Sequence, residues 1–340
     1  MISSHTGFQT LKTVWLGDVY PENFYSHLPS DLQDAFCKLT ESTKQDLSHI
    51  EKKLIELGVE VHRPEFESVD CYLSNNKLTK PPICPRDWAL TLDDTLYIIP
   101  QYESDIQPWK SSIDKYRANG DNVRILNRFG DSEPWCWLIF PSVVRVGRDI
   151  FIDYKLGNKN VESNTKIVCD ELSKKYRVHV THTGDHSDGV FCPVAPQRIF
   201  STHYKKVYSD TFPGWDVFFL TDTTKLKTNG INGKWYRQDH YLPYYNDHLL
   251  NYATHWLGNP METVFEVNML VVDEKNVICI AEDDAACKKL ESIGITPHVV
   301  NFKTRGFWDG GIHCITLDIH REGKCLDYWP ERGPNGIYYY

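Results

Sequence analysis

Residues 269–302 read MLVVDEKNVICIAEDDAACKKLESIGITPHVVNF. MLVVDEKNVICI places two apolar, β-branched runs around a polar turn, which predicts a hairpin. In DDAACKKLESIG the apolar residues recur on a helical period, and Gly294 stands where a helix closes in the left-handed conformation that glycine adopts without strain. A short strand over ITPHVV then completes a hairpin–helix–strand unit.

The same two halves recur along the chain. Hairpin patterns lie in LTLDDTLYIIP at 90–100, VVRVGRDIFIDY at 143–154 and VAPQRIFST at 194–202. Helix-into-strand patterns lie in DLSHIEKKLIELGVEVHRP at 46–64, with Gly58 at the helix end, and in KIVCDELSKKYRVHV at 166–180. Repetition of one supersecondary unit predicts an α/β architecture assembled from copies of it. A ring of about five ββαβ units buries every helix face and leaves no long sheet edge. An open doubly wound sheet is the alternative, but no G-x-G-x-x-G follows any strand, so a dinucleotide reading has no support. No Pro/Gly/Ser-rich linker divides residues 1–340, which are read as one domain, with an insertion or lid at about 221–262 where turn residues and aromatics concentrate.

Composition narrows the partners. A net charge of -9 and the absence of Lys/Arg runs offer no footprint for nucleic acid. The longest near-apolar stretch, WCWLIFPSVV at 135–144, is far shorter than the roughly 20 residues of a membrane span. MISSHTGFQT lacks a signal-peptide profile, and no N-x-[ST] acceptor occurs, so a cytoplasmic protein with small-molecule partners is expected. The ten cysteines form no C-x-x-C pair, so neither a zinc ribbon nor a thioredoxin-like motif is indicated.

Three polar clusters adjoin strand patterns. PRD at 85–87 reads alone as a turn cap or surface ion pair. GDHSDGVF at 184–191 reads alone as a polar turn, although His186 and Asp188, two residues apart, face the same side if extended. In WDGGIHCITLDIHREG at 308–323, Gly310 and Gly311 permit close approach, and Cys314 begins an alternation with Thr316 and Asp318 opposite Ile315, Leu317 and Ile319. Free cysteines are usually inert core residues. Together, however, the clusters supply a thiol, an imidazole and two carboxylates, which suit attack on the carbon of a permanently cationic guanidinium.

Seven runs in order carry a resemblance: PRD at 85, RVGRDIF at 145, YRVH at 176, HSDG at 186, NMLVVDEK at 268, SIGIT at 292 and GGIHCIT at 310. They are similar to motifs of the arginine:glycine amidinotransferase family, within the guanidine-modifying superfamily, and the entry strand LKTVWLGDVY at 11–20 is similar too. The resemblance implies a five-bladed pseudosymmetric β/α propeller, or pentein, working without metal or organic cofactor. It implies Cys314 as nucleophile, His186 as general acid and base, and Asp87 and Asp188 as guanidinium-binding carboxylates. Arg86, Lys205, Glu266 and Asn268 complete the expected substrate contacts. The implied reaction moves the amidino group of arginine to an amine through an amidino-cysteine, in ping-pong order. A homodimer is the default assembly.

The chain departs from the family at two places. F-D-A-A-D, whose first aspartate orients the catalytic histidine, is replaced by CWLIFPSVVRVGRD, which puts Ile139 at that position and leaves Asp131 or Glu133 as substitutes. Lys205 stands for a carboxylate-binding arginine and Glu266 for a serine. Two further readings follow: a guanidine hydrolase, with water in place of the amine, and a propeller without catalysis that serves as a binding protein.

Overall fold

A computed structural model describes residues 1–100, 103–126, 138–153, 159–182, 186–202, 208–220, 247–254, 256, 267–280 and 284–340. All four expected hairpins form: Ala89–Leu92 with Thr95–Ile98, Val143–Val146 with Asp149–Asp153, Phe191–Ala195 with Arg198–Ser201, and Leu270–Asp273 with Asn276–Cys279. Each second strand then gains a parallel neighbour, respectively Asn122–Ile125, Arg177–Thr181, Asp216–Phe219 and Thr296–Val299. A parallel neighbour requires a crossover, and a helix lies in each of these connections. The helix Asp284–Ser292 ends as its sequence predicts. Gly294, at φ 83°, donates its N–H to Glu291, and the N–H of Ile295 reaches Leu290 at 3.0 Å.

The fifth sheet has the same plan but is assembled from both ends of the chain. Thr316–Glu322 pairs antiparallel with Thr10–Leu16, and Glu60–His62 adds parallel to the latter after the helix Ser30–Glu56. That helix buries Leu32, Phe36, Leu39, Leu47, Ile50 and Leu54, one stripe at helical spacing, each contributing about 1.5–3 kcal/mol. Gly336–Tyr339 extends the second sheet by pairing parallel with Arg177–Thr181. Among the described residues no helix is long and apolar enough to cross a membrane.

Two of the sequence motifs turn out to bind units together. Asp149 of RVGRDIF is fully buried and accepts from Arg177 Nε and Nη2 at 3.1 and 2.7 Å, from His179 Nε2 at 2.6 Å and from Arg332 at 3.1 Å. Arg145 of the same run pairs with Asp93 in the turn of the first hairpin at 2.5 Å, where Lys175 and Tyr176 also bind.

Part of the segment expected as an insertion or lid lies among the described residues. Within 221–262 the helix Asp247–Tyr252 packs on Ser30–Glu56, and Leu249, Leu250, Ala253 and Trp256 are buried in the same apolar cluster as that helix. Trp256 stacks on Trp308, with ring centroids 6.1 Å apart. This portion is core because its apolar side chains fill the groove between that helix and the segment before Cys314. Residues 221–246, 255 and 257–262 lie outside the described residues.

Candidate active site

In each of the five sheets the strand that opens the hairpin follows a turn or loop. These approaches are Pro85–Asp87, Phe140–Ser142, Ser187–Gly189, the residues around Asn268, and 312–315. Pro85–Asp87 packs on Phe140–Ser142, which packs on Ser187–Gly189, where the Ser187 hydroxyl donates to the Ser142 carbonyl at 3.0 Å. Corresponding positions thereby contribute Asp87, Asp188, Asn268 and Cys314, while the second unit offers Ile139-Phe140-Pro141-Ser142, with no ionisable side chain.

Cys314 does not begin the strand as the alternation suggests. It occupies a tight turn closed by the Ile315 N–H on Gly311 and the Thr316 N–H on His313, both at 3.2 Å, and the strand starts at Thr316. Both faces of that strand are buried, so Thr316 and Asp318 point to an interior polar face rather than to solvent. Asn268, wholly buried, clamps the turn. Its Oδ1 accepts the backbone N–H of His313 at 2.9 Å and of Cys314 at 3.0 Å, while Nδ2 donates to the Asp188 carbonyl at 3.2 Å and stands 3.1 Å from Cys314 Sγ. Gly311 must lack a side chain, because a Cβ there would lie 2.6 Å from Asn268 Oδ1 and 2.7 Å from its Cβ.

Asp188 stands beside the thiol. Its Oδ2 accepts from the Cys314 thiol at 3.6 Å and lies 2.9 Å from His313 Nδ1, and among the described residues its buried Oδ1 has no hydrogen-bond partner. Burial opposes charge on Asp188, but the His313 hydrogen bond and the charges of His313, His186 and Arg86 bring its carboxyl below the ordinary value. Asp87, exposed yet desolvated by the protein packed around it, is lifted to about 6, with Lys80 and His186 opposing the rise and Asp188 and Asp309 adding to it. The Cys314 thiol is pushed well above its ordinary value by burial first, then by Asp188, Cys84 and Asp87.

The expected residues divide into three groups. Cys314, Asp188 and Asn268 are in direct contact, and His186, partly exposed just before Ser187–Gly189, acts electrostatically on both Asp87 and Asp188. His186 and Asp188 do not share an extended strand, since the intervening residue belongs to a 3-10 turn. Two expected substrate contacts are committed to the protein instead. Arg86 donates to the His313 and Thr316 carbonyls at 2.9 and 3.0 Å and pairs with Asp318 at 2.7 Å, while Asn268 is consumed by the clamp. Both side chains are buried and find these partners within the chain. Lys205, Glu266, Asp131 and Glu133 lie outside the described residues, and Ile139 brings no carboxylate.

Four neighbours carry no site role in the sequence reading. His313 pairs with Asp188, and Lys80 donates to the Trp308 carbonyl at 3.1 Å, toward which the Cys84 thiol also points at 3.9 Å. Asp309 follows in a left-handed conformation, φ 56° and ψ 55°, a strained state for a residue with a side chain. Burial would lower Lys80, but Cys84, Asp87, Asp309 and Cys314 together raise it, so it remains a cation. Adjacency of His313 to Cys314 was a usable signal; nothing in the spacing singles out Lys80.

No family model matches the chain. Over 189 residues it is 23% identical to an L-arginine:L-lysine amidinotransferase of Pseudomonas savastanoi pv. phaseolicola, a match covering 54% of this chain and 44% of that protein. Over 195 residues it is 27% identical to the mitochondrial glycine amidinotransferase of Gallus gallus, covering 55% and 39% respectively. The matched stretch thus spans less than half the length of these relatives. Among solved structures, the inosamine-phosphate amidinotransferase of Streptomyces griseus superposes with a TM-score of 0.70 at 18% identity, over 96% of this chain and 99% of that one. An amidinotransferase of saxitoxin biosynthesis from Microseira wollei gives 0.68 at 17% identity, with the same coverage. A dimethylarginine dimethylaminohydrolase shares the fold more distantly, with a TM-score of 0.55. Motif order, local sequence identity and whole-chain fold agree in what the chain is similar to: amidinotransferases in local sequence, and the amidinotransferase fold over nearly its whole length.

Proposed function

We propose that this protein transfers the amidino group of arginine to an amine acceptor through a covalent amidino-cysteine at Cys314. One observation carries the reading: the Cys314 thiol lies 3.6 Å from a buried carboxylate that has an oxygen without a partner. A guanidinium seated between Asp188 and Asp87 supplies the missing donors and places its carbon beside sulfur. It also brings the positive charge that the raised thiol lacks, so donor binding itself favours the thiolate.

In the first half-reaction the thiolate forms an S–C bond to the guanidinium carbon, and the C–N bond to the ornithine amine breaks as His186 protonates the departing nitrogen. In the second, His186 takes a proton from the acceptor amine, which bonds to the same carbon as the C–S bond breaks. The fold supports the finer architectural reading: five sheets of one plan, with Thr316–Glu322 lying against Ala89–Leu92 and Thr10–Leu16 against Leu270–Asp273, suit a five-bladed ring forming one domain. Lys205 and Glu266 remain proposed contacts for the substrate tails, and a homodimer the proposed assembly.

The test is mass spectrometry of the Cys314 peptide after arginine is added. The expected result is one amidino group in place of the thiol proton, discharged by amines with ornithine released earlier. Citrulline and ammonia from arginine alone would select the hydrolase. Absence of any adduct, with Cys314→Ala indistinguishable from wild type, would leave the binding-protein reading.

A further inference from the structure

The two oxygens of Asp188 are in different situations. Oδ2 has His313 Nδ1 at 2.9 Å and Cys314 Sγ at 3.6 Å, while Oδ1 is buried without a partner. An ionised carboxylate only accepts, so the Nδ1 facing it carries the hydrogen. That N–H is the stronger donor of the two competing for Oδ2, being closer and more polar than a thiol. The His313 backbone is itself immobilised, its N–H on Asn268 Oδ1 at 2.9 Å and its carbonyl under Arg86 Nε at 2.9 Å. The charged groups around the ring are Asp188, Arg86 and Asp318.

We propose that His313 is a positioning residue that reserves Asp188 for the guanidinium: it shares Oδ2 with the Cys314 thiol and so weakens the thiol's hold on it, and it presents Oδ1 to one donor N–H. The proposal deepens the amidino-transfer reading and rests on it. Its physical content is a competition. A thiol that donates to a carboxylate is held in its protonated form, because losing the proton would both break the hydrogen bond and place two negative charges together. With Oδ2 shared with the closer imidazole N–H, the thiol's hydrogen bond to it, at 3.6 Å, is weakened, and the carboxylate cannot rotate to offer both oxygens to water or to the thiol.

The test compares His313→Asn, which retains an N–H donor, with His313→Leu and with His313→Phe, which keeps ring volume without the donor. Two quantities are read: arginine affinity by calorimetry on each variant combined with Cys314→Ala, and the pH midpoint of Cys314 alkylation by iodoacetamide, followed on the Cys314 peptide in the otherwise unaltered variants. Loss of one charge-assisted hydrogen bond predicts affinity about tenfold weaker or worse in the Leu and Phe variants. Their alkylation midpoint rises by about one pH unit as the thiol, no longer sharing Oδ2, tightens its hydrogen bond to it. His313→Asn recovers most of both. Wild-type-like values in folded Leu or Phe variants, or an Asn variant as impaired as they are, would overturn the proposal. If the parent Cys314→Ala protein binds no arginine, the amidino-transfer reading fails, and the alkylation midpoints still decide what His313 does.

Discussion

Asn268 holds Cys314 from two directions, accepting its backbone N–H on Oδ1 at 3.0 Å and approaching its sulfur with Nδ2 at 3.1 Å. The nucleophile's turn is thereby tied to the neighbouring unit and not only to its own strand. Asn268→Leu leaves the buried Cys314 N–H without its acceptor and the His313 N–H with only the longer bond to the residue-268 carbonyl at 3.2 Å, and should cost about 1–3 kcal/mol in urea unfolding. Asn268→Asp keeps the acceptor but replaces the donor facing sulfur with a carboxylate oxygen. Stability in that variant should stay closer to wild type while the rate of adduct formation falls by tenfold or more, about 1.4 kcal/mol of barrier.

Gly310 and Gly311 should differ in tolerance. A Cβ on Gly311 meets Asn268 at 2.6–2.9 Å over three atoms of a clamped side chain, whereas one on Gly310 meets the Cys84 Sγ at 2.8 Å and the Cys314 Cβ at 3.2 Å. Gly311→Ala is expected to lose the adduct and to lower stability by about 1–3 kcal/mol. Gly310→Ala should be rescued in part by Cys84→Ala, which removes the obstructing sulfur; an unrescued double variant would show that the crowding lies elsewhere.

Asp87 sets an acidic limit on donor binding. Its carboxyl is raised from the ordinary 3.8 to about 6 by desolvation, so it protonates as pH falls below that value and arginine affinity should drop between about pH 7 and pH 5. The folding consequence has the opposite sign. A folded-state value above the unfolded one stabilises fully below the unfolded value and is lost as pH rises through about 6, so ionised Asp87 is a burden at neutral pH. Asp87→Asn should therefore abolish donor binding while raising Tm slightly at alkaline pH, by about 1–2 °C after allowing for screening of its exposed side, with no gain near pH 4.

Arg177 and Asp149 test the architecture apart from the chemistry. Both are essentially fully buried and joined by two hydrogen bonds, so Arg177→Met leaves the Asp149 carboxylate to His179 and Arg332 alone and should cost about 1–3 kcal/mol. Denaturant unfolding measures it. The residual folded protein should still form the Cys314 adduct, since neither residue touches the site.

The motifs that made the family legible do two different jobs, which their text does not separate. PRD, HSDG and GGIHCIT bring reactive groups to turns ahead of strands, whereas RVGRDIF and YRVH supply Asp149, Arg177 and His179 to a buried ion network. Arg86 lies inside a site motif and nonetheless serves the frame through Asp318. Lys80 lies outside every motif and stands among Cys84, Asp87, Asp309 and Cys314.

Hairpins, helices and their glycine closures were determined by the sequence by itself, because they depend on periodicity and on φ preferences that act within a few residues. The set of reactive groups, a thiol, an imidazole and paired carboxylates in a fixed order, was legible without coordinates too. Only the tertiary structure decided that the fifth sheet joins Thr10–Leu16 to Thr316–Glu322, that Asn268 holds the nucleophile, and that His313 faces Asp188. Each of these pairs residues from different units, and which side chains meet there is set by how the units pack against one another, not by any local preference of the chain.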